Sequence, residues 1–344
     1  MKAVGLLEYL PIEREDSLFD FKATKPTATG KDLLVKINAI SINPVDVKVR
    51  APKEKKEETP KVLGWDASGV VVEVGEDCEL FQPGDEVFYA GAINRPGTYS
   101  EYHLVDERIV GKKPTSLSFA EAAAMPLTTI TAWEALFERL AIHPENKQEN
   151  NAMSILIIGG AGGVGSIAIQ LAKWAGLEVI ATASRSETEN WVKQLGADHI
   201  INHYEPLKEQ LATKQLLEVD YILCLNNTDQ HWEAMGEVIK PQGKICSIVE
   251  NEQPLDLNVL KSKSATFVWE FMFTKSLYTT PDIMNQHVLL NKASEMMDQN
   301  VIKTTLQEKL SPICAETLRK AHAKVESGKM IGKLVVEEFE TDQQ

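Results

Sequence analysis

Closely spaced cysteines are missing from this chain. Its four, Cys78, Cys224, Cys246 and Cys314, form no C-x-x-C pair, so neither a zinc knuckle nor a disulfide framework is signalled, and each reads as a small buried or half-buried thiol. Positive charge is short as well: thirty-six Lys and Arg against fifty Asp and Glu leave a formal charge of −14. Such a surface repels a phosphate backbone, which argues against nucleic acid as a partner. A convincing membrane span is also lacking. The uncharged stretch from Met153 to Gln170 approaches the required length, yet its glycine cluster and strand-like start fit a buried strand and turn. The opening MKAVGLLEYLP carries Glu8 and too short an apolar run for a secretion signal. The expectation is a cytoplasmic protein with no membrane partner.

What is present suits a globular enzyme. At 344 residues, 25% charged and 43% apolar, the chain is long enough for two domains, each with its own core. Its first third holds short β-branched runs, DLLVKINAISI, ASGVVVEVG, DEVFYA and EYHLVDERIV, bounded by Gly, Pro, Asn or Asp. Between the first two lies APKEKKEETPK, whose charge and flanking prolines predict a solvated loop. From SLSFAEAAAMPL onward the spacing turns helical, with TAWEALFERLAI as an amphipathic helix. After residue 150 strands and helices alternate through SILIIGG, VGSIAIQLAKWAG, EVIATAS, SETENWVKQLGA, HIIN, VDYILCLN and GKICSIV. That alternation builds a parallel sheet covered on both faces.

The motif that carries chemistry is ILIIGGAGGVGSIAIQLAKW, where Gly160, Gly162 and Gly165 satisfy G-x-G-x-x-G, with Gly163 and Val164 inside the turn. It follows an apolar strand and opens a helix, the setting in which glycines admit a pyrophosphate to a helix N-terminus. The next strand distinguishes the two nicotinamide cofactors. It ends Ala183-Ser184-Arg185, with no acid before Glu187; a hydroxyl beside a guanidinium suits the 2′-phosphate of NADPH better than the bare ribose of NAD. Asn226 and Asn227 follow VDYILCL and fall at the carboxyl end of a sheet strand, the edge where open α/β sheets bind ligands.

These stretches, together with SINPVD, VLGWDASGVV, FQPGDEVF, LGADHIIN and AHAKVESGKMIGKLV, resemble the medium-chain dehydrogenase/reductase superfamily over nearly the whole chain. The resemblance implies an α/β fold with a GroES-like β-rich catalytic domain and a Rossmann doubly wound parallel-sheet domain. The corresponding boundaries are 1–127, 128–275 and a segment 276–344 returning to the catalytic domain. Zinc alcohol dehydrogenases of the superfamily bind metal at positions that look like Asn43, Trp65 and Leu127 here, and none of these is a zinc ligand. The match is therefore closer to the zinc-free quinone oxidoreductases, and no metal is expected. In that branch the residues matching Asn43 and Thr131 lie near the nicotinamide, and His203 and Tyr204 near the adenosine. Asp46 orients water or substrate, or caps a turn; Trp65 walls the active-site cleft or is core; Asp66 fixes the turn. Relatives pair through Rossmann strand edges, so a homodimer or homotetramer is expected, with VWEFMFT near residue 270 a candidate contact.

Without a metal, hydride addition to a simple ketone leaves an alkoxide with nothing to stabilise it. A quinone or α,β-unsaturated carbonyl spreads that charge through conjugation, so such acceptors are favoured. No residue stands out as the general acid, which leaves solvent as the proton source. The competing readings are a non-catalytic NADPH-binding sensor or structural protein, and a zinc alcohol dehydrogenase.

Overall fold

The computed structural model describes residues 1–340. The chain divides into two units, one from residues 1–127 with 273–344 and the other from 128–272. The return to the first unit falls at Phe273, ahead of residue 276.

In the first unit the strand Asp32–Ser41 runs through a seven-stranded sheet. Lys333–Glu337 lies on one side of it, with Val335 opposite Ser41, and Ala67–Val74 on the other, with Ala67 opposite Ile40. This register determines the site: it brings the start of the final strand and the turn before Ala67 to the same end of Asp32–Ser41. Glu86–Tyr89, Val110–Lys112 and Leu306–Leu310 extend the sheet, and Tyr102–Asp106 pairs alongside. A smaller sheet contains Phe19–Lys22, Lys2–Tyr9 and Lys53–Val62.

That last strand corrects the sequence reading, in which the charged segment near residues 51–60 was a loop. Its side chains are largely exposed and it pairs on one side only, with Lys2–Tyr9. A sheet edge can be built from lysines and glutamates because charge there blocks further pairing.

The second unit is a six-stranded parallel sheet in the spatial order His199–Ile201, Glu178–Thr182, Ser154–Ile158, Val219–Cys224, Ile239–Ser247, Thr266–Trp269. Numbered from Ser154 this is 3-2-1-4-5-6, the doubly wound arrangement. Ser154–Ile158 is buried along its whole length, as a central strand covered on both faces must be, which explains its unbroken apolar sequence. Leu156, Ile158, Ile180, Ile222 and Ile245 pack with Trp232 and Met235 from the helix Thr228–Val238.

One helix departs from expectation. Pro126–Trp133 is α-helical, but the following turn, Glu134–Arg139, widens into a π-helix closed by the Leu140 N–H donating to the Ala135 carbonyl at 2.9 Å. Hydrophobic spacing cannot distinguish one widened turn from regular helix.

Candidate functional site

The end of Asp32–Ser41 holds a buried polar cluster. Asn43 precedes the helix Pro44–Arg50, and its backbone N–H donates to Asp46 Oδ2 at 2.6 Å, capping the helix. Asp66 accepts at both oxygens: Oδ2 from Asn43 Nδ2 at 2.9 Å and Lys333 Nζ at 3.0 Å, Oδ1 from the Leu127 N–H at 2.9 Å. Lys333 Nζ also donates to the Ile42 carbonyl at 3.3 Å and to Asn43 Oδ1. An ammonium has three donors, and three acceptors meet them. Asn43, Asp46, Asp66 and Lys333 are all buried.

Burial pushes the Asp66 carboxyl up, against the pull of Lys333 and the Asn43 amide. It pushes Asp46 up to about 7, because the Asn43 N–H and Lys333 offset the desolvation only in part and Asp66 adds to it. Trp65 is buried too: its Nε1 donates to the Ala92 carbonyl at 3.1 Å and its ring meets Phe273 edge-on at 6.2 Å. Of the two roles the sequence left open, packing inside the unit is the one these contacts describe.

The three positions matched to metal ligands do meet, for Asn43 and Leu127 both bond to Asp66 and Trp65 precedes it. An amide, an indole and an aliphatic side chain nevertheless do not suit zinc, and the nearby carboxylate is taken up by an ammonium. Among the described residues no group of three or more His, Cys, Asp or Glu could hold a metal. Asn43 has both side-chain polar atoms engaged within this cluster. Lys333 escaped the sequence reading because a lysine opening a strand normally looks like surface. The available signal was its place at the head of KLVV, whose four residues are all buried.

In the second unit, Ser154–Ile158 runs into Gly159, at φ +89°, and the helix Gly163–Trp174 starts after Gly162. Thr182 secures the turn: its hydroxyl accepts from the Gly159 N–H at 2.9 Å and its carbonyl from the Gly160 N–H at 3.2 Å. A Cβ on Gly165 would lie 2.5 Å from the Gly159 carbonyl oxygen, so packing demands glycine there. A Cβ on Gly162 would meet nothing closer than 3.7 Å, and its φ of −73° is open to any residue. The chain itself does not require glycine at 162. A ligand approaching the helix start would, and the first-turn N–H groups of Gly163 and Val164 have no acceptor within the helix. The turn thus fits a dinucleotide pyrophosphate.

The other predicted cofactor residues distribute around this edge. Ser184 is half-buried and Arg185 exposed just beyond Glu178–Thr182. The Arg185 backbone is held by Thr188, whose hydroxyl accepts from its N–H at 3.0 Å and donates to its carbonyl at 2.7 Å. Asn226 lies beside the glycine turn, its Cβ 3.5 Å from where a Cβ on Gly159 would stand. Asn227, at φ 40°, uses its side chain to cap Thr228–Val238 by accepting from the Gln230 N–H at 3.0 Å. The His203 and Tyr204 rings lie 4.3 Å apart, tilted by 48°, beyond His199–Ile201, with Tyr204 72% exposed, in reach of a flat ring from solvent. Thr131 is buried in the helix Pro126–Trp133.

Three outcomes are expected. Lys333→Met leaves Asp66 buried without its counter-charge and should cost about 3–5 kcal/mol in urea unfolding, much of it restored by adding Asp66→Asn; a single variant as stable as wild type would show that the pair is dispensable. Asp46 titrates at about 7 folded against 3.8 in the free carboxyl, so the folded state keeps a proton that the unfolded chain releases, and stability falls as pH rises from about 4 to about 7. Asp46→Asn should flatten that fall, by up to about 4 kcal/mol, and parallel stability curves for both proteins would contradict it. Gly165→Ala should lower the melting temperature, whereas Gly162→Ala should leave it unchanged and weaken dinucleotide binding at least about tenfold in calorimetry. Unweakened binding by Gly162→Ala would move the pyrophosphate elsewhere.

Residues 29–115 match the family described as alcohol dehydrogenase GroES-like domain, and 163–286 the one described as zinc-binding dehydrogenase. A zinc-type alcohol dehydrogenase-like protein of Staphylococcus aureus is 45% identical over 336 residues, 98% of this chain and 99% of its own. A tomato (Solanum lycopersicum) 2-methylene-furan-3-one reductase is 31% identical over 96% of this chain and 76% of its own. The solved structure of a Rhizobium etli protein, provisionally classed as a zinc-dependent alcohol dehydrogenase, is 49% identical and superposes with a TM-score of 0.94 over 99% of each chain. With a GroES-like unit, a 3-2-1-4-5-6 parallel sheet and these relatives, the chain belongs to the medium-chain dehydrogenase/reductase family of oxidoreductases.

Proposed function

We propose that this oxidoreductase is a zinc-independent, NADPH-dependent reductase of quinones or α,β-unsaturated carbonyls. The observation that carries the reading is the Asn43–Asp66–Lys333 cluster, where an ion pair stands among the positions at which metal-dependent relatives carry their ligands. All three ammonium donors are spent on protein acceptors, so Lys333 has none left to polarise a carbonyl. An acceptor that delocalises its own charge needs no such group. The furanone reductase among the relatives is named for a conjugated enone, which supports this class.

When bound, the dinucleotide supplies the hydride. The chain's part is to seat the pyrophosphate on Gly162, Gly163 and Val164, and to meet a 2′-phosphate with the half-buried Ser184 and the exposed Arg185. Tyr204 offers a face to the adenine. No helix among the described residues is long and apolar enough to cross a membrane, in keeping with a cytoplasmic setting. Self-association through the outermost strand, Thr266–Trp269, would cover Trp269 and Phe271, 42% and 45% exposed.

The experiment is NADPH oxidation by chelator-treated protein with an aromatic ortho-quinone and with an enone, run beside NADH and beside Arg185→Ala. Turnover that survives chelation is expected. Arg185→Ala should raise the NADPH KM at least about tenfold and leave the NADH KM nearly unchanged, since a charge-assisted phosphate contact is worth more than 1.4 kcal/mol. Loss of activity restored by zinc would overturn the metal-free reading, and equal effects on both cofactors would remove Arg185 from the site. Tight NADPH binding with no turnover would favour a sensor.

A further inference from the structure

A buried carboxyl pair sits at the carboxyl edge of the parallel sheet. Glu270 follows Thr266–Trp269, and its N–H donates to the Ser247 carbonyl at 2.9 Å. Ser247 ends the adjacent strand, and its hydroxyl donates to the carbonyl of Cys224, which ends the next, at 3.3 Å. The pair is thus in line with the strand ends that carry the glycine turn, on the side of the sheet where ligands bind.

Its partner Glu134 lies on the π turn, three residues after Thr131, with its carboxyl close enough to raise that of Glu270. Arg139, at the other end of that turn, donates from Nε to Glu270 Oε2 at 2.8 Å. The wider turn lets residues five apart address one carboxylate, which regular α-helix spacing does not. Both carboxyls are buried, and Glu270 Oε1 accepts no hydrogen bond. Two carboxylates buried side by side repel, and one guanidinium balances only one of them, so a single proton on the pair leaves one acid, one carboxylate and one guanidinium with no net charge. Burial, with Glu134 next, pushes Glu270 up to about 9 against the pull of Arg139. The other groups facing it are Cys246 on the adjacent strand, itself raised by burial and by Glu270, and Glu138, 3.9 Å from Arg139. Lys244 is engaged by the Leu140 carbonyl.

We propose that the Glu134–Glu270 pair stores one proton and delivers it to the acceptor reduced at this sheet edge. The inference rests on the reductase reading. Hydride transfer adds two electrons and one hydrogen to the acceptor and leaves an oxyanion. An O–H bond then forms on that oxyanion as the O–H bond of the pair breaks; two carboxylates remain beside Arg139, and solvent returns the proton. Glu134 Oε2 and Glu270 Oε1 each lack a hydrogen-bond partner, and Glu270 Oε1, on the residue that follows the last strand, is the exit point.

The test uses the full chain with Glu270→Gln and Glu134→Gln, in which an amide keeps the shape of a protonated carboxyl. Infrared difference spectra at about pH 8, wild type minus each variant in an Asp46→Asn background that removes the other raised buried carboxyl, should show a buried carboxylic-acid carbonyl band that both variants lose. With NADPH and an ortho-quinone, the wild-type rate should fall as pH rises through about 9, and Glu270→Gln should be slower by ~10²-fold with that fall absent. A variant that only melts earlier, with the wild-type pH profile, would overturn proton delivery and leave a structural pair. Absence of the band would overturn the shared proton whatever the turnover. A band without turnover of any quinone or enone by wild type would overturn the reductase reading and, with it, delivery.

Discussion

The contact between Lys333 and Asp66 joins residues 267 positions apart, and the geometry of the first unit converges on it. It forms because the strand Asp32–Ser41 is flanked by the final strand and by Ala67–Val74 in a register that presents Lys333 and Asp66 at one end. Buried pairs of this kind gain little over apolar packing, yet removing one partner is costly because the other charge is stranded. The cluster answers that cost with full hydrogen bonding: the ammonium has three acceptors, and the carboxylate takes Asn43, Lys333 and the Leu127 N–H. It therefore constrains the N-terminal motif, the G-x-D turn, the segment entering the second unit and the returning C-terminus together. Beside Asp66 the tryptophan serves packing, its ring edge-on to Phe273 and its Nε1 donating to the Ala92 carbonyl.

The second unit handles charge differently. Along its carboxyl edge, the glycine turn leaves first-turn N–H groups of a helix facing outward, and Ser184 and Arg185 follow one strand over. Three strands from the glycine turn on its other side, Arg139 donates to the buried Glu270 carboxyl, with Glu134 beside it. Electropositive character is thus placed where a phosphate would bind. The buried Glu134 and Glu270 lie toward the same edge, Glu134 on the turn of helix that departs from regular geometry. Both features would serve the proposed reduction, which needs an anionic cofactor held and a proton supplied.

Much of this was legible in one dimension. A glycine motif set between an apolar strand and a helix predicts its own turn because the backbone requirement is local, and the structure adds that Gly165 answers to packing while Gly162 leaves space. The strand alternation after residue 150 is readable because each buried parallel strand carries a solid apolar run. Lys53–Val62 was not, since an exposed edge strand has the composition of a loop and only its neighbour makes it a strand. The π turn was not, because one extra residue per turn leaves no periodic trace over six positions.

By itself the sequence determined the residue types: no ligand set at Asn43, Trp65 and Leu127, a hydroxyl and a guanidinium in place of an acid at Ser184 and Arg185, and glycines where a pyrophosphate could approach. These readings need only chemistry at known offsets. Tertiary structure alone decided which charges meet. Lys333 with Asp66, and Glu134 with Glu270, are far apart in sequence, and although the apolar run after Lys333 hints at its burial, nothing in either sequence neighbourhood names the partner. Strand register and helix geometry bring them together, and desolvation at that point makes an ion pair of Lys333 and Asp66 and pushes the Glu270 carboxyl up.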